Sequence, residues 1–336
     1  MPTTTHSQPK IRFCLDHSDG IGWGHGVRCS TIAHELTSAG FHVELMTTTP
    51  GDPPAIWGGA FEAIHHIPSW DNPQASSVCD AWVLDQYDLR KGHSFYEALL
   101  RINQKVIVVD DLPDPFAVAG ACGVINPNPY AKPSDYPGIP SACGPSFALI
   151  RPAFKTPGTP PQTGRGLPPG FIVMIMGGSD PKHIAERCWR WIQQGDWDPP
   201  LPVVFVNPPF KIPDSSKHLA TGPLNAPALS HLFSQARCIL SAAGSTLGEI
   251  VCCHSPFLAI RVASNQDLAC AFAETVWKMP VIDADKLTPQ SLSIGLSRMD
   301  LISPLGGKPI FDPAIDGEGP ARASAFIIRL ASQVLH

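Results

Sequence analysis

One histidine stands in a glycine-rich stretch between an apolar run and a helical pattern. The stretch runs from Gly20 to Cys29, with His25 among four glycines. The apolar run Ile11–Leu15 predicts a buried strand, and apolar residues at helical spacing follow the stretch, which predicts a strand-to-helix turn. The positive end of the helix dipole disfavours imidazolium, so His25 is expected to stay neutral and able to act as a general base. A histidine that only caps the helix or binds a carbonyl explains the spacing equally well.

The glycine pattern departs from the fingerprint of dinucleotide-binding loops. Arg28 stands where that fingerprint has its third glycine, and the following strand carries Glu44 in its interior with no acid at its tip. A nicotinamide or flavin cofactor is therefore not expected, and no other cofactor is predicted. Glycine lets a backbone approach a ligand closely, so Gly22 and Gly24 are candidate substrate contacts together with Arg28.

Composition and charge restrict the class of protein. The 336 residues carry a net charge of −5, with 43% hydrophobic and 16% charged residues, which is typical of a globular protein of two domains. Without a polybasic run, the chain is not expected to bind nucleic acid. No apolar stretch reaches the length of a membrane span, and the first ten residues do not resemble a signal peptide. A cytoplasmic protein without stable membrane association is therefore expected, of unknown oligomeric state.

Cysteine and histidine spacing argues against a metal site. The ten cysteines include no C-x-x-C pair, and the thirteen histidines include no H-x-x-x-H motif. Several cysteines fall in apolar patterns and are interpreted as reduced core residues. His65 and His66 are adjacent on a predicted strand, which directs their rings to opposite faces. No metal is therefore predicted.

Strand and helix patterns alternate along both halves of the chain. The first half has predicted strands at 11–15, 42–46, 81–85, 106–110 and 123–125, and helices at 25–38 and 95–103. The second half has predicted strands at 171–176, 202–206, 238–241 and 256–261, and helices at 181–193, 226–234, 247–253, 267–276 and 320–335. The predicted fold class is α/β, with two doubly wound parallel-sheet lobes, Rossmann-like, and a cleft between them as in the GT-B architecture. The predicted lobes are 1–155 and 171–336, joined by a linker over 156–170 that is rich in proline and glycine.

Polar residues follow three predicted strands of the first lobe. They are Asp85–Tyr87, Asp110 with Asp111, and Asn126 with Asn128. Because the carboxyl ends of parallel strands meet at one edge of a sheet, we expect them on the same edge as the glycine loop. Asp110 and Asp111 are adjacent and point apart, which favours hydrogen bonds to turn amides over an acid–base pair.

Two turns of the second lobe each follow a strand and open a helix. Their residues are Gly177, Gly178 and Ser179 in the first turn, and Gly244, Ser245 and Thr246 in the second. Such turns present backbone N–H groups and a positive dipole end to an anion, and Glu249, one turn further on, can accept from a ribose hydroxyl. For either turn alone, serine and threonine as simple helix caps are slightly favoured. The pair of turns, with no Walker lysine, favours a diphosphate held without metal.

Eight segments, in order, resemble the UDP-sugar hydrolases of pseudaminic acid biosynthesis (the PseG type), which are related to glycosyltransferases of the MurG type. The segments are IGWGHGVRC (21–29), LDQYDL (84–89), VVDDL (108–112), INPNPYAKPSDYPG (125–138), CGPSFALIRPAF (143–154), MGGSDPKH (176–183), SAAGSTLGE (241–249) and SNQ (264–266). The resemblance covers most of the chain and fades after Gln266. It implies hydrolysis of UDP-2,4-diacetamido-2,4,6-trideoxy-β-L-altropyranose to the free sugar and UDP.

The resemblance also implies roles for individual residues. It puts the base histidine of the family at His25 and the tyrosine of its sugar site at Tyr87. Asn126 and Tyr130, at and after a strand end of the same lobe, are further candidate substrate contacts. The resemblance puts the UDP contacts in the second lobe, at Gly177, Gly178, Ser245, Thr246, Glu249, Asn265 and Gln266. Cys14 replaces an arginine that is frequent in the family, which leaves the identity of the sugar open.

A glycosyl diphosphate carries a good leaving group, so catalysis has to position water, remove its proton and stabilise charge on the diphosphate. The first two tasks are assigned to His25, oriented by Asp16 or Tyr87, and the third to the helix start at Gly244–Thr246. One displacement by water inverts the anomeric centre.

Two other functions remain open at this point. A glycosyltransferase with UDP as leaving group shares the fold and the nucleotide site, although the first half shows no convincing basic, apolar patch for a lipid acceptor. A UDP-sugar-binding protein without activity ranks third, because His25 is retained in the matching glycine loop.

Overall fold

The computed structural model describes residues 8–17, 23–71, 79–156, 158, 166–168, 170–177, 180–302 and 309–333. The chain forms two compact units. The first unit comprises Met1–Leu149 and Glu318–His336, and the second comprises Ile150–Gly317.

The first unit contains a seven-stranded sheet in which all paired strands are parallel. Its strands are β1 (Lys10–Cys14), β2 (His42–Thr47), β3 (Ala63–His66), β4 (Ala81–Leu84), β5 (Val106–Val109), β6 (Gly123–Asn126) and β7 (Ser141–Cys143). They lie in the order β3-β2-β1-β4-β5-β6-β7, so the winding reverses between β1 and β4. Open α/β sheets bind ligands outside the carboxyl ends of the strands at such a reversal.

Helices α1 (Gly24–Ser38) and α2 (Ser94–Arg101) connect strands of this sheet. Short 3₁₀ helices lie at Ala55–Trp57, Pro133–Asp135 and Pro145–Phe147. Every residue of β4, β5 and β6 is buried, as expected for parallel strands covered on both faces.

The second unit contains a six-stranded parallel sheet with the same kind of winding. Its strands are β8 (Ile172–Ile175), β9 (Val203–Val206), β10 (Leu219–Thr221), β11 (Cys238–Ala242), β12 (Phe257–Arg261) and β13 (Val281–Asp283), in the order β10-β9-β8-β11-β12-β13. Its helices are α3 (Ile184–Gln194), α4 (Ala226–Gln235), α5 (Thr246–Cys252), α6 (Asp267–Thr275) and α7 (Pro289–Ile302), with 3₁₀ helices at Pro152–Phe154, Ser264–Gln266 and Ala284–Lys286. Its winding reverses between β8 and β11. The two predicted doubly wound, parallel-sheet lobes are confirmed.

The last helix, α8 (Gly319–Ser332), packs on α1 and belongs to the first unit. Its buried residues Ala323, Phe326, Ile327 and Leu330 join the core that covers one face of the first sheet. The lobe boundaries predicted from the sequence, with the second lobe at 171–336, assign this helix to the second lobe. The spacing of apolar residues shows which face of a helix is buried, but it does not show against which sheet that face packs. Within the described residues, we find no helix with the length and apolar character needed to cross a membrane.

The first sheet buries an ionic cluster around Glu44 of β2. Arg12 of β1 donates to Glu44 Oε2 from Nε at 2.9 Å, and Lys10 Nζ lies 2.8 Å from Oε1. Burial alone would raise the pKa of Glu44, but the hydrogen bonds and charges of Lys10 and Arg12 lower it to about 2. Glu44 was one of the two departures from the dinucleotide-binding fingerprint. In the structure it neutralises Arg12, which is only 2% exposed.

Glu44→Gln is expected to lower the free energy of unfolding by about 3 kcal/mol, because it leaves Arg12 buried without its counter-charge. Glu62→Gln is the matched control, since the Glu62 side chain is 39% exposed and its pairing with His42 is expected to contribute at most about 1 kcal/mol. The folded pKa of Glu44 lies below its ordinary value of 4.5, so its stabilisation is complete above pH 4.5 and is lost as the pH falls towards 2. Urea unfolding curves at pH 7 and below pH 4 measure both effects. Equal stability of the two variants would contradict the prediction.

Candidate functional site

His25 lies in the first turn of α1, at the reversal point of the first sheet. Its Nδ1 is 2.7 Å from Oδ1 of Asp85, the residue that directly follows β4. Asp85 is 1% exposed, whereas 14% of the His25 side chain is exposed. An Nη of Arg28 also lies 3.1 Å from Nδ1, but Asp85 is the nearer partner. An ionised carboxylate only accepts hydrogen bonds, so the neutral ring that pairs with Asp85 carries its proton on Nδ1 and keeps the lone pair on Nε2. The contact with Asp85 orients the imidazole so that Nε2 can act as a general base.

Arg28, one turn further along α1, lies between two carboxylates. It donates from Nε to Asp85 Oδ2 at 2.7 Å and from an Nη to Asp111 Oδ1 at 2.5 Å. Burial would raise the pKa of Asp85, but the charge of Arg28 and the hydrogen bonds from Arg28 and His25 hold it well below its usual range. Burial likewise would raise the pKa of Asp111, and Arg28 lowers it. The charges of Arg28, Asp85 and Asp111 sum to one negative charge, so a proton transferred to His25 brings the cluster to neutrality.

Asp111, in the loop after β5, connects this cluster to the loops after β4 and β6. The Tyr87 hydroxyl donates to Asp111 Oδ2 at 2.7 Å, and Asn128 Nδ2 donates to Oδ1 at 3.1 Å. The Tyr87 ring meets the His25 ring edge-on, with centroids 5.2 Å apart, and Tyr87 is 40% exposed. The Tyr130 hydroxyl donates to the Asp111 backbone carbonyl at 2.9 Å. The structure therefore brings together the predicted residues His25, Arg28, Tyr87 and Tyr130.

The neighbouring Asp110 serves another network. Its Oδ2 accepts from the hydroxyl group of the buried Tyr136 at 2.7 Å. The hydroxyl oxygen of Tyr136 accepts in turn from Asn126 Nδ2 at 2.8 Å. Burial raises the pKa of Asp110. The two adjacent carboxyl groups do point apart, as the sequence indicates, but Asp111 belongs to the candidate site. Asn126 is fully buried and supports Asn128, which donates to Asn126 Oδ1 at 2.9 Å.

Asp16 does not orient His25. Its Oδ1 accepts from Thr47 Oγ1 at 3.0 Å and from the Thr48 backbone at 2.7 Å, and its Oδ2 accepts from Trp70 Nε1 at 2.7 Å. These bonds join the loop after β1 to the end of β2 and to the loop after β3. The orienting role goes to Asp85 because β4 is the neighbour of β1, which places the residue after β4 beside the start of α1.

Gly26 is required by packing. Trp57, which is 1% exposed, lies directly against it, and a Cβ added at Gly26 would be 1.6 Å from Trp57 Cζ2. The glycine after His25 therefore lets an indole ring support the first turn of α1. Gly24 begins that helix, and Gly22 lies outside the described residues.

Gly26→Ala is expected to destabilise the protein by about 1–3 kcal/mol, the usual range for overpacking a buried site, and to displace His25. Trp57→Phe removes the ring atoms nearest to the added methyl group, so the double variant is expected to recover part of the loss. Urea unfolding and turnover of the single and double variants measure both effects. A Gly26→Ala variant as stable and active as the unchanged protein would show that the indole does not support this turn.

The reversal point of the second sheet lies between the ends of β8 and β11, which carry the two predicted turns. Gly177 follows β8 with φ of +83° on an exposed loop, and Gly178 and Ser179 lie outside the described residues. The predicted start of a helix at Pro181 is wrong, because α3 begins at Ile184. Asp180 accepts from the backbone N–H groups of Ile184 at 2.9 Å and Ala185 at 2.8 Å. The Asp180 carboxylate therefore already occupies the first backbone N–H groups of α3, which a bound phosphate would need as donors.

The second turn ends at α5. Gly244 and Ser245 are exposed, Thr246 is half-buried, and Glu249 lies one turn into the helix, 6% exposed. Both Glu249 oxygens accept from Arg151, at 2.6 Å from Nε and 2.9 Å from an Nη. Asn265 is exposed on the short helix before α6. The neighbouring Gln266 accepts from the Val262 backbone through its Oε1 at 2.9 Å.

From the sequence alone, Asp85, Asp111 and Arg151 have no specific role in these arrangements, although the two aspartates are predicted on the same sheet edge as the glycine loop. Asp85 and Asp111 carried a signal, since each stands at or just after the end of a predicted strand, and the winding of the sheet decides that both reach α1. Arg151 stands in one of the eight resembling segments, but nothing in the sequence pairs it with Glu249, which is 98 residues away. Among the described residues, no group of three or more His, Cys, Asp or Glu side chains is arranged to hold a metal ion.

No protein-family model matches the sequence, and no curated protein matches it. Solved structures match the fold over nearly the whole chain. MurG from Acinetobacter baumannii has a TM-score of 0.60 and 12% identity, over 96% of this chain and 100% of that one. The calicheamicin glycosyltransferase CalG4 has a TM-score of 0.62 and 13% identity, over 98% and 100%. The UDP-GlcNAc 2-epimerase from Methanocaldococcus jannaschii, in complex with UDP-GlcNAc and UDP, has a TM-score of 0.57 and 10% identity, over 95% and 99%. At these identities the similarity shows the fold, and the chain is a GT-B-fold protein with two Rossmann-like lobes.

Proposed function

We propose that the protein is a metal-independent hydrolase that converts a UDP-activated diacetamido-trideoxy sugar to the free sugar and UDP, with inversion at the anomeric carbon. The observation that carries the proposal is the hydrogen bond between His25 Nδ1 and the buried carboxylate of Asp85. It makes His25 Nε2 the basic atom at the reversal point of the first sheet. The eight-segment resemblance supports the choice of substrate, and the GT-B fold is compatible with it.

In this reaction His25 removes a proton from a water molecule as the water attacks the anomeric carbon. Asp85 keeps the ring in the required tautomer and stabilises the imidazolium that forms. Because UDP is a good leaving group, no acid is needed at the glycosidic oxygen. A single displacement gives the inverted sugar.

The second unit supplies the UDP site in this proposal. The exposed turn Gly244–Thr246 offers backbone amides and two hydroxyl groups to the diphosphate, and Glu249 accepts from the ribose. Gly177, Gly178, Ser179, Asn265 and Gln266 are the remaining proposed contacts. Since the amides that begin α3 already bind Asp180, Gly177 would contribute its loop backbone and not a helix terminus.

A proton NMR time course on UDP-2,4-diacetamido-2,4,6-trideoxy-β-L-altrose tests the proposal, with purified protein, EDTA and no acceptor. Free UDP and free sugar are expected, with the inverted anomer appearing first and with no effect of EDTA. Strong inhibition by EDTA would overturn the metal-free mechanism. Broadened uridine signals without turnover would overturn the hydrolase and leave a UDP-sugar-binding protein or a transferase.

A glycosyltransferase is the second candidate. The same base can deprotonate an acceptor hydroxyl group instead of water, and exposed apolar side chains follow Asp111 in the first unit. Leu112 is 42% exposed and Phe116 is 81% exposed, a surface suited to an apolar acceptor. Adding candidate acceptors to the NMR experiment separates the two reactions, because a transferase forms UDP only with an acceptor present.

A further inference from the structure

The side-chain amide of Asn126 is held in one orientation by its neighbours. Its Oδ1 accepts from the backbone N–H of Asn128, in the loop after β6, at 3.2 Å. A backbone N–H is always a donor, so the side-chain atom that receives it is the oxygen. The nitrogen end of the same amide donates to the Tyr136 hydroxyl oxygen at 2.8 Å. The carbonyl of Asn126 therefore faces Asn128, whatever choice is made between nitrogen and oxygen in the amide itself.

Two acceptors then determine the orientation of the Asn128 side chain. Its Nδ2 donates to Asn126 Oδ1 at 2.9 Å and to Asp111 Oδ1 at 3.1 Å. An amide nitrogen has two hydrogens, and these bonds use both. Burial would raise the pKa of Asp111, but the charge of Arg28 lowers it, so this carboxylate is ionised and only accepts. Neither partner can pair with an oxygen, so the carbonyl end of the Asn128 amide is turned away from both.

The carbonyl oxygen of Asn128 is an acceptor to which the protein supplies no donor. In the part of the chain that the structure describes, the side-chain hydrogen bonds of Asn128 are all made by Nδ2. Asn128 is half-buried, and Oδ1 does not belong to the buried side-chain atoms that lack a partner, so it is accessible. Asn126 is fully buried, so its contribution to a ligand site passes through Asn128.

The surroundings of Asn128 favour a neutral hydrogen-bond donor. Asp111 also binds Arg28, and Arg28 binds Asp85. The charges of these three groups sum to one negative charge, which repels a phosphate group and attracts the positive end of an N–H dipole. An amide N–H that is removed from water and finds no acceptor costs free energy. The sugar of the proposed substrate carries two acetamido groups, and each has one N–H.

We propose that Asn128 is a specificity-determining residue, whose Oδ1 accepts the N–H of one acetamido group of the sugar. The inference rests on the proposed function and names the residue that recognises this substituent. Asp111 accepts from both Asn128 and Tyr87, and the Tyr87 ring meets the ring of the base edge-on. One network therefore holds both the acceptor and the base, so the acetamido contact positions the anomeric carbon for attack by water.

Rates of UDP release from three substrates by the full chain test the inference. The substrates are the diacetamido UDP-sugar and two analogues in which hydrogen replaces the acetamido group at C2 or at C4. Asn128→Ala is expected to lower kcat/KM about 3- to 10-fold more for the diacetamido substrate and for one analogue than for the other analogue. That difference is the usual contribution of one neutral hydrogen bond, and the insensitive analogue is the one that lacks the N–H received by Oδ1.

A second variant and a control separate recognition from support of Asp111. Asn128→Ser keeps a hydrogen-bond donor on the loop, but its shorter side chain does not reach the position of Oδ1, so the same dependence on substrate is expected. Gln104→Ala is the matched control, since Gln104 lies before β5 and its Oε1 accepts from Trp82 Nε1 at 3.0 Å. This control is expected to change kcat/KM by one common factor for all three substrates.

The outcomes distinguish the inference from the proposed function. If the unchanged protein hydrolyses the diacetamido substrate and both Asn128 variants lose the same factor with all three substrates, the inference alone is overturned. Asn128 would then only support Asp111. If the unchanged protein hydrolyses none of the three substrates, the proposed function is overturned as well.

Discussion

Asparagine in place of His25 is expected to lower kcat for hydrolysis of the UDP-sugar by at least about 10²-fold, the usual contribution of a positioned general base. The substitution removes the atom that takes the proton from water while leaving the second unit unchanged. KM is therefore expected to change much less than kcat. Initial rates of UDP release, with UDP affinity measured separately, give both quantities.

His34→Asn is the matched control for this prediction. His34 lies on the same helix, is exposed, and approaches the Trp57 carbonyl through Nε2 at 3.2 Å. Its replacement is expected to leave kcat within about twofold, since exposed substitutions away from a site usually have small effects. A His25→Asn variant with full activity would exclude His25 as the base, whereas equal losses in both variants would point to the stability of α1.

Asn in place of Asp85 is expected to lower kcat by about 10²- to 10⁴-fold, because an amide at this position no longer selects the tautomer with the proton on Nδ1. It also removes one of the two carboxylates that face Arg28, so a loss of stability is expected in addition. Kinetics alone cannot separate these effects. Nitrogen NMR of histidine-labelled protein can, because the tautomer of His25 is expected to change from Nδ1–H to Nε2–H.

Asp110→Asn is the control for Asp85→Asn. Asp110 also stands at the end of a central strand of the first sheet, but it accepts from Tyr136, and asparagine can still accept through its Oδ1. Its kcat is expected to stay within about threefold of that of the unchanged protein, because most substitutions away from the reacting groups have modest effects. If Asp85→Asn kept both the tautomer of His25 and the rate, the role of the buried carboxylate would be limited to pairing with Arg28.

Local patterns in the sequence were sufficient to predict the buried strands and most helices. Val106–Val109 and Cys238–Ala242 are continuous apolar runs, and a strand buried on both faces needs such a run wherever it lies in the fold. The start of α1 was predicted to within one residue. Three short edge strands, β7, β10 and β13, and the helix α7 were missed. An edge strand of three residues is stabilised by pairing with its neighbour, which a window of sequence does not contain.

The start of α3 and the position of α8 could not be predicted from local patterns. Pro181 suggested the first residue of a helix, but His183 adopts the left-handed conformation, with φ of +51°. The Asp180 carboxylate accepts from the backbone amides four and five residues further on, where α3 begins. The apolar face of α8 could be predicted from the spacing of its residues. Its contact with α1 could not, because the two helices lie at opposite ends of the sequence.

The sequence by itself determined that the chain has two alternating α/β lobes and that a histidine stands in a glycine loop at the end of a strand. These features could be predicted because apolar periodicity and glycine determine the conformation of the few residues around them. Only the tertiary structure decided which groups serve that histidine. Asp85 lies 60 residues from His25, and Asp111 lies 83 residues from Arg28. They meet because the winding order places β4 beside β1 and β5 beside β4. That order is set by the burial of both sheet faces across the whole unit, which no local pattern encodes.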